Sequence, residues 1–213
     1  MTALIAPPPV PRLLLITDRT QTGGRPLEDV VAACVSAGIS HVLLRERDLS
    51  PAAYDDLLDR LRANVDDDTV ILTRTPRPDS VGCHLAQDTP WPARPGALTG
   101  RSVHDAGAVR RARAEGAAFA IVGPYAPTAS KPGYGPALGT DGVRALAVHA
   151  GGLPLLAVGG VRPADLDLLA TAGAFGAAVM GALMRAPNPH SLAREYLSAA
   201  STFMTSTNLK EEQ

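Results

Sequence analysis

The chain has 213 residues, with 20 Lys and Arg against 21 Asp and Glu, a formal net charge of −1, and 46% hydrophobic residues. This is a globular composition with enough length for one domain and a substantial core, and it lacks the basic stripe that nucleic-acid binding normally needs. Aromatic residues make up only 4%, which leaves few rings for stacking on bases or sugars.

Taken in chain order, short apolar runs recur and many are followed by a helical pattern. "LLLIT" (13–17) precedes "PLEDVVAACVSAG" (26–38), and "HVLLRE" (41–46) precedes "SPAAYDDLLDRLRANV" (50–65). "TVILT" (69–73) leads only into a Pro-rich link, followed by "GCHLA" (82–86) and "ALTGRSV" (97–103). The helix "DAGAVRRARAEG" (105–116) comes next, then "FAIVGP" (119–124) and a helix over 139–151. "LPLLAVGG" (153–160) precedes "RPADLDLLATAG" (162–173), and "GAAVMGA" (176–182) precedes a last helix at about 190–203. Ser50-Pro51 reads as a cap followed by proline at the first helical position. Gly38, Gly116 and Gly173 stand where left-handed C-caps are wanted.

The strands are continuous apolar runs, so both of their faces are covered. Eight of them with alternating helices predict a single (β/α)8 barrel over 1–213, with its core at about 12–203 and weak or missing third and fourth helices. A doubly wound open sheet is the structural rival. Cys34 and Cys83 form no CxxC pair and no zinc spacing, so buried, reduced thiols are expected. The start, "MTALIAPPPVPR", lacks the charged segment and apolar run of a secretory signal, and no stretch approaches a membrane span. The expected setting is cytoplasmic, with no nucleic-acid or membrane partner; homo-oligomer formation is left open.

In a barrel the active site lies at the C-terminal strand ends. Gly159 and Gly160 close the seventh strand, and Gly181 with Ala182 follows the eighth, where backbone N–H groups commonly hold a phosphate. The loop "GPYAPTASKPGYGPALG" (123–139) follows the sixth strand. It brings the hydroxyls of Thr128 and Ser130 and the charge of Lys131, which suit phosphate oxygens. Long loops in compact domains are usually functional. Ser102 and His104 share one face of the fifth strand. Arg45 and Glu46 end the second.

These pieces resemble the superfamily of thiamine phosphate synthase and TenI-type thiazole tautomerase. The resemblance rests on "LLLITDR", "LLRER", "GCHLAQ", "GRSVHD", "VGPYAPTASKPG", "LAVGGV" and "AAVMGAL", in the family's order from residue 13 to about 185. It implies a (β/α)8 barrel and a thiazole phosphate held by Thr128, Ser130, Lys131, Gly159, Gly160, Gly181 and Ala182. The synthase pattern also implies a magnesium ion on a departing pyrophosphate, since that charge must be neutralised. Three of its features are missing here. Its Asn-Asp pair after the third strand is replaced by "ILTRTPRP", its acidic residue after the fourth strand is off by one at Asp88, and its Gln before the second-strand Arg is Leu43.

The resemblance therefore points first to a metal-free thiazole tautomerase, an isomerase that shifts a proton on a thiazole carboxylate phosphate. In that reading His104 is the acid–base group, with Ser102 beside it. Arg45 holds the substrate carboxylate and Glu46 orients a partner or pairs with an arginine. No cofactor or metal is then expected. A divergent synthase joining thiazole phosphate and hydroxymethylpyrimidine diphosphate is the alternative, with magnesium required only in that case and Asp88 or Asp18 as its ligands. A barrel that binds a phosphate ligand without turning it over is the third reading. His84 reads as a packed core histidine.

Overall fold

The computed structural model describes residues 8–128, 136–201 and 203. Parallel strands β1 (Leu13–Ile16), β2 (His41–Leu43), β3 (Val70–Leu72), β4 (His84–Leu85), β5 (Gly100–Val103), β6 (Phe119–Val122), β7 (Leu155–Val158) and β8 (Gly176–Val179) form one sheet. Its order is β3-β2-β1-β8-β7-β6-β5-β4. Between β3 and β4 the sheet is joined by a single parallel bridge, Thr73 with Cys83, where His84 N donates to Thr73 O at 2.8 Å. The result is a nearly closed barrel, as the alternation of runs predicts, and not the open doubly wound sheet.

The strands alternate their side chains between two apolar compartments, which explains their lack of polar alternation. Leu14, Ile16, Leu43, Leu72, Phe119, Ile121 and Leu156 fill the barrel interior. Leu13, Leu15, Val42, Leu44, Ala120, Val122 and Leu155 pack outward with the helices. Neither face meets water, so both are apolar. Interior space is limited at the lower strand ends. A Cβ on Gly100 would lie 2.4 Å from the Phe119 ring, so glycine there makes room for the ring.

The outer helices follow from their apolar spacing. In α1 (Leu27–Ser36), Leu27, Val30, Val31, Cys34 and Val35 fall at i, i+3, i+4, i+7 and i+8 and are buried together. Helix α2 (Pro51–Ala63) starts on Ser50, whose hydroxyl accepts from Ala53 N at 3.3 Å. In α3 (Ala106–Ala114), Asp105 caps Ala108 N at 2.8 Å. Helices α4 (Gly139–Ala147), α5 (Leu166–Thr171), α6 (Gly181–Arg185) and α7 (Pro189–Ala200) complete the layer. Gly38, Gly116 and Gly173 all take positive φ, as their C-cap placement predicts.

Two local departures from the sequence reading matter. Most strands are shorter than the apolar runs, because the residues beyond their ends turn into the loops of the barrel mouth. The five-residue α6 directly after β8 has no periodic signature and was not expected. Where the third and fourth helices are missing, side chains hold the loops instead. The buried Arg101 donates from Nη1 to the carbonyls of Ala86, Gln87 and Thr89 at 3.0, 2.8 and 2.8 Å. Its Nε lies 2.7 Å from Glu115 Oε2, and its guanidinium sits over the Trp91 ring. Both cysteines are buried free thiols, and burial pushes Cys34 up to about 12. No helix among the described residues is long and apolar enough to cross a membrane.

Candidate active site

A cavity of about 380 Å³ opens at the C-terminal strand ends. Strand parity decides who lines it. In β2 Leu43 points inward, so Arg45 does too; Gly160 keeps the inward register of Leu156 and Val158, and Met180 that of Ala178. Arg45, His84, Ser102, His104, Thr128, Gly159, Gly160, Gly181 and Ala182 all line the cavity. The structure thus brings together most of the residues singled out in the sequence. Ser130 and Lys131 lie outside the described residues.

The glycine end is built for close approach. Gly159 and Gly160 have φ of +92° and +66°. A Cβ on Gly160 would lie 2.8 Å from Pro127 O and 2.9 Å from Ala126 Cβ. That backbone course needs glycine, and it exposes the main chain to a ligand. Among the described residues the amides of Gly160, Gly181 and Ala182 have no hydrogen-bond partner. The loop after β7 is fixed by Arg162 and Asp165. The buried carboxylate accepts from Arg162 N at 2.9 Å and from its guanidinium at 2.9 and 3.1 Å, and these bonds hold Asp165 below the usual carboxylate range. Tyr196, buried on α7, donates to Val161 O at 2.7 Å. Arg25 ties α6 in place through the carbonyls of Met184 and Ala186, both at 2.7 Å.

Toward β4 and β5, the His104 ring at the rim has Nδ1 2.8 Å from Gly123 O, so that nitrogen carries the donated proton. Ser102 Oγ lies 3.4 Å from His84 Nε2. The His84 ring also stacks on Phe119 with centroids 6.1 Å apart. The sequence reading has His84 as a packed core histidine, and its stack on Phe119 agrees; the ring also floors the cavity. Desolvation, with the nearby Arg45 charge, holds its pKa down at about 3. His84 is therefore a neutral hydrogen-bonding ring near neutral pH.

Glu46 has outward parity and does not line the cavity. It is 3% exposed and is the centre of a brace. Its Oε1 accepts from Thr17 Oγ1 at 2.7 Å, and both oxygens accept from Arg19 N at 3.2 Å. Thr17 Oγ1 in turn accepts from Arg45 N at 3.0 Å. The brace locks the ends of β1 and β2 together and so positions Arg45. Of the two roles expected for Glu46, pairing with an arginine is the one seen, with Arg19 Nη1 3.6 Å away.

Among the described residues Arg45 has no carboxylate partner, and its guanidinium makes one hydrogen-bond contact, with Met180 Sδ at 3.8 Å. Arg74 lies just after β3, in the stretch that the resemblance matches to the synthase pattern's Asn-Asp pair. It keeps the inward register of Leu72, and its Nη1 donates to Glu46 O at 2.9 Å. Asp88 is exposed, 4.0 Å from Arg111. Among the described residues no three His, Cys, Asp or Glu side chains are grouped to hold a metal. Asp18, the acidic side chain next to Arg45, is occupied by Thr20 and Gln21. Hard cations want several oxygen ligands, and this donor set does not fit a magnesium ion.

Comparison with known proteins agrees with this architecture. A thiamine-phosphate synthase of Salinispora tropica is 35% identical over 193 residues, covering 84% of this chain and 91% of the relative. One of Roseiflexus castenholzii is 32% identical over 202 residues, covering 87% and 86%. The solved thiamine phosphate pyrophosphorylase of Pyrococcus furiosus superposes with a TM-score of 0.77 at 21% identity, covering 91% and 96%, which is a likeness of fold. Residues 13–183 match thiamine monophosphate synthase, and the chain belongs to that family.

Proposed function

We propose that the protein is a transferase of the thiamine phosphate synthase type, joining a thiazole phosphate to a pyrimidine diphosphate. The observation that carries this reading is the match to thiamine-phosphate synthases over 84–87% of the chain, and the two-ended cavity is compatible with it. Unbonded amides line one end and an arginine without a carboxylate partner lines the other, so one space offers a place for two anionic groups. The tautomerase substrate carries a carboxylate beside its phosphate and would fill the same two ends, so it is the relatives named thiamine-phosphate synthase that favour the transferase.

The sequence reading favoured the tautomerase, and the relatives shift the balance to its alternative. That preference rested on two missing carboxylate features and on Leu43 in place of a Gln, read as loss of the pyrimidine-diphosphate subsite. In the transferase reading the stretch after β3 offers a cation in the carboxylates' stead, Arg74, whose Nη1 donates to Glu46 O beside Arg45.

In the proposed reaction the thiazole nitrogen lone pair attacks the pyrimidine methylene carbon. The C–O bond to the diphosphate breaks, and its electron pair leaves with pyrophosphate. The new C–N bond leaves the positive charge on the thiazolium ring, and no proton needs to be removed. This chain's contribution is positioning and charge complementarity. Amides of Gly160, Gly181 and Ala182 hold the thiazole phosphate. His84 and Ser102, neutral and polar, offer hydrogen bonds to ring substituents at mid-cavity. Arg45 faces the developing negative charge.

The test is turnover by the purified chain. Thiazole phosphate and the pyrimidine diphosphate are supplied, and thiamine phosphate and pyrophosphate are followed by chromatography. Stoichiometric formation of both is expected. Absence of both, alongside isomerisation of a thiazole carboxylate phosphate by the same preparation, would return the tautomerase reading.

A further inference from the structure

We infer that Arg45, Arg47 and Arg74 form a metal-independent diphosphate site, in which Arg74 supplies the charge that the synthase pattern assigns to magnesium. This rests on the transferase reading for its biological meaning, but the site is a physical claim of its own.

The charge inventory at the mouth above β1–β3 carries the argument. Four arginines gather there, and the carboxylates around them are already occupied. Arg19 takes Asp48 in a bidentate pair at 2.8 and 2.9 Å. Glu46 is buried in its brace with Thr17 and Arg19. Asp18 is held by Thr20 and Gln21. Among the described residues no salt bridge reaches Arg45, Arg47 or Arg74. Three cations thus stand close together, with Asp18 and Glu46 as nearby counter-charges whose oxygens are already hydrogen-bonded to other groups. Burial, together with the repulsion of Arg47 and Arg74, lowers the pKa of Arg45, which is the electrostatic signature of a site short of negative charge.

Such an arrangement is costly unless something anionic completes it. The fold nevertheless fixes it. Arg74 is held by its bond to Glu46 O, and its own amide approaches Tyr54 Oη at 3.4 Å, where Tyr54 donates to Leu44 O at 2.8 Å. Arg45 is fixed through Thr17. Guanidinium groups match phosphate oxygens with paired donors and keep their charge at any physiological pH. A divalent ion and a carboxylate pair would add charge by one route; an arginine in the place of the carboxylate adds it by another. The two are alternatives, because Arg74 would repel a cation from the position where the carboxylate would attract one.

The experiment is calorimetric titration of inorganic pyrophosphate into the full chain in EDTA, repeated with excess magnesium. Binding in EDTA is expected, with affinity within about threefold of that in magnesium. Arg74→Gln should weaken metal-free binding at least tenfold, and Arg47→Gln by a smaller factor of a few. Arg47 is exposed and has no hydrogen bond or salt bridge among the described residues, so that variant keeps the test alive if Arg74→Gln misfolds. Binding that appears only with magnesium, or that survives both substitutions unchanged, overturns the inference. The two readings separate cleanly. Metal-free pyrophosphate binding without synthase turnover keeps this site and rejects the proposed function; turnover with strictly magnesium-dependent pyrophosphate binding does the reverse.

Discussion

His84 allows the electrostatics of the cavity floor to be measured without any ligand. Its pKa is held down at about 3, first by desolvation and then by the charge of Arg45, with Arg101 adding to the repulsion and the Arg101 backbone opposing it. An unfolded histidine titrates at about 6.5. Above that pH both states are neutral and the group contributes nothing to pH dependence. Below it the unfolded chain takes up a proton that the folded chain refuses, so stability falls as pH drops from about 6.5 toward 3. At pH 5 the gap is about 1.5 pH units, or roughly 2 kcal/mol. Urea denaturation at pH 7.5 and pH 5.0, on the wild type and on His84→Gln, isolates the effect, because the carboxylates titrate alike in both proteins. The wild type should lose about 2 kcal/mol more than the variant across that interval. Equal losses would mean that His84 is readily protonated in the folded state, and the picture of a dry floor facing an uncompensated Arg45 would fail.

Gly160→Val places a β-branched side chain at φ of +66°, with its Cβ 2.8 Å from Pro127 O. The strain should cost about 1–3 kcal/mol and thiazole phosphate affinity should fall more than about tenfold, both readable by thermal melting and calorimetry; unchanged affinity would take the phosphate away from this loop. Arg101→Met leaves three carbonyls without their donor and Glu115 without its ion-pair partner, so a loss of about 3–5 kcal/mol is expected in denaturant unfolding; a loss under about 1 kcal/mol would show that the loop after β4 is held by other contacts.

The barrel was legible because its strands must be apolar on both faces, and the continuous runs at 13–17, 119–124 and 153–160 show that directly. The glycine C-caps were legible because only one residue type takes that backbone cheaply. Short elements were harder. Helix α6 has five residues, fewer than two turns, so "VMGALM" carries no period to read. The packing of His84 was legible but its cavity face was not, because a histidine inside an apolar run looks the same from sequence whether its ring packs sideways or faces a cavity. It does both here, against Phe119 and toward Ser102. Arg74 was read as a residue ending the third run, where the synthase pattern's carboxylate is missing, and no role was given to it. Its inward direction follows from register with Leu72, and its isolation from acidic partners follows from where Asp48, Glu46 and Asp18 spend their oxygens. Neither fact is local in sequence.

The contrast between the two cavity ends bears on how two anionic substrates would be kept in their own places. In the proposed reading, neutral amides at Gly160, Gly181 and Ala182 would bind an oxyanion by short, directional contacts that depend on shape. The arginines at the other end would act through charge, which favours the more highly charged partner. A diphosphate carries more negative charge than a phosphate monoester, so the arginine end would prefer it by electrostatics alone, while the glycine end would select by fit. Reversing the two substrates would leave the diphosphate without its cations and place the monoester where nothing is shaped to it. Orientation is then encoded in the difference between the ends, with mid-cavity groups kept neutral by burial. A charged His84 would add a cation between the two anions and blur that difference, and its depressed pKa prevents this at neutral pH.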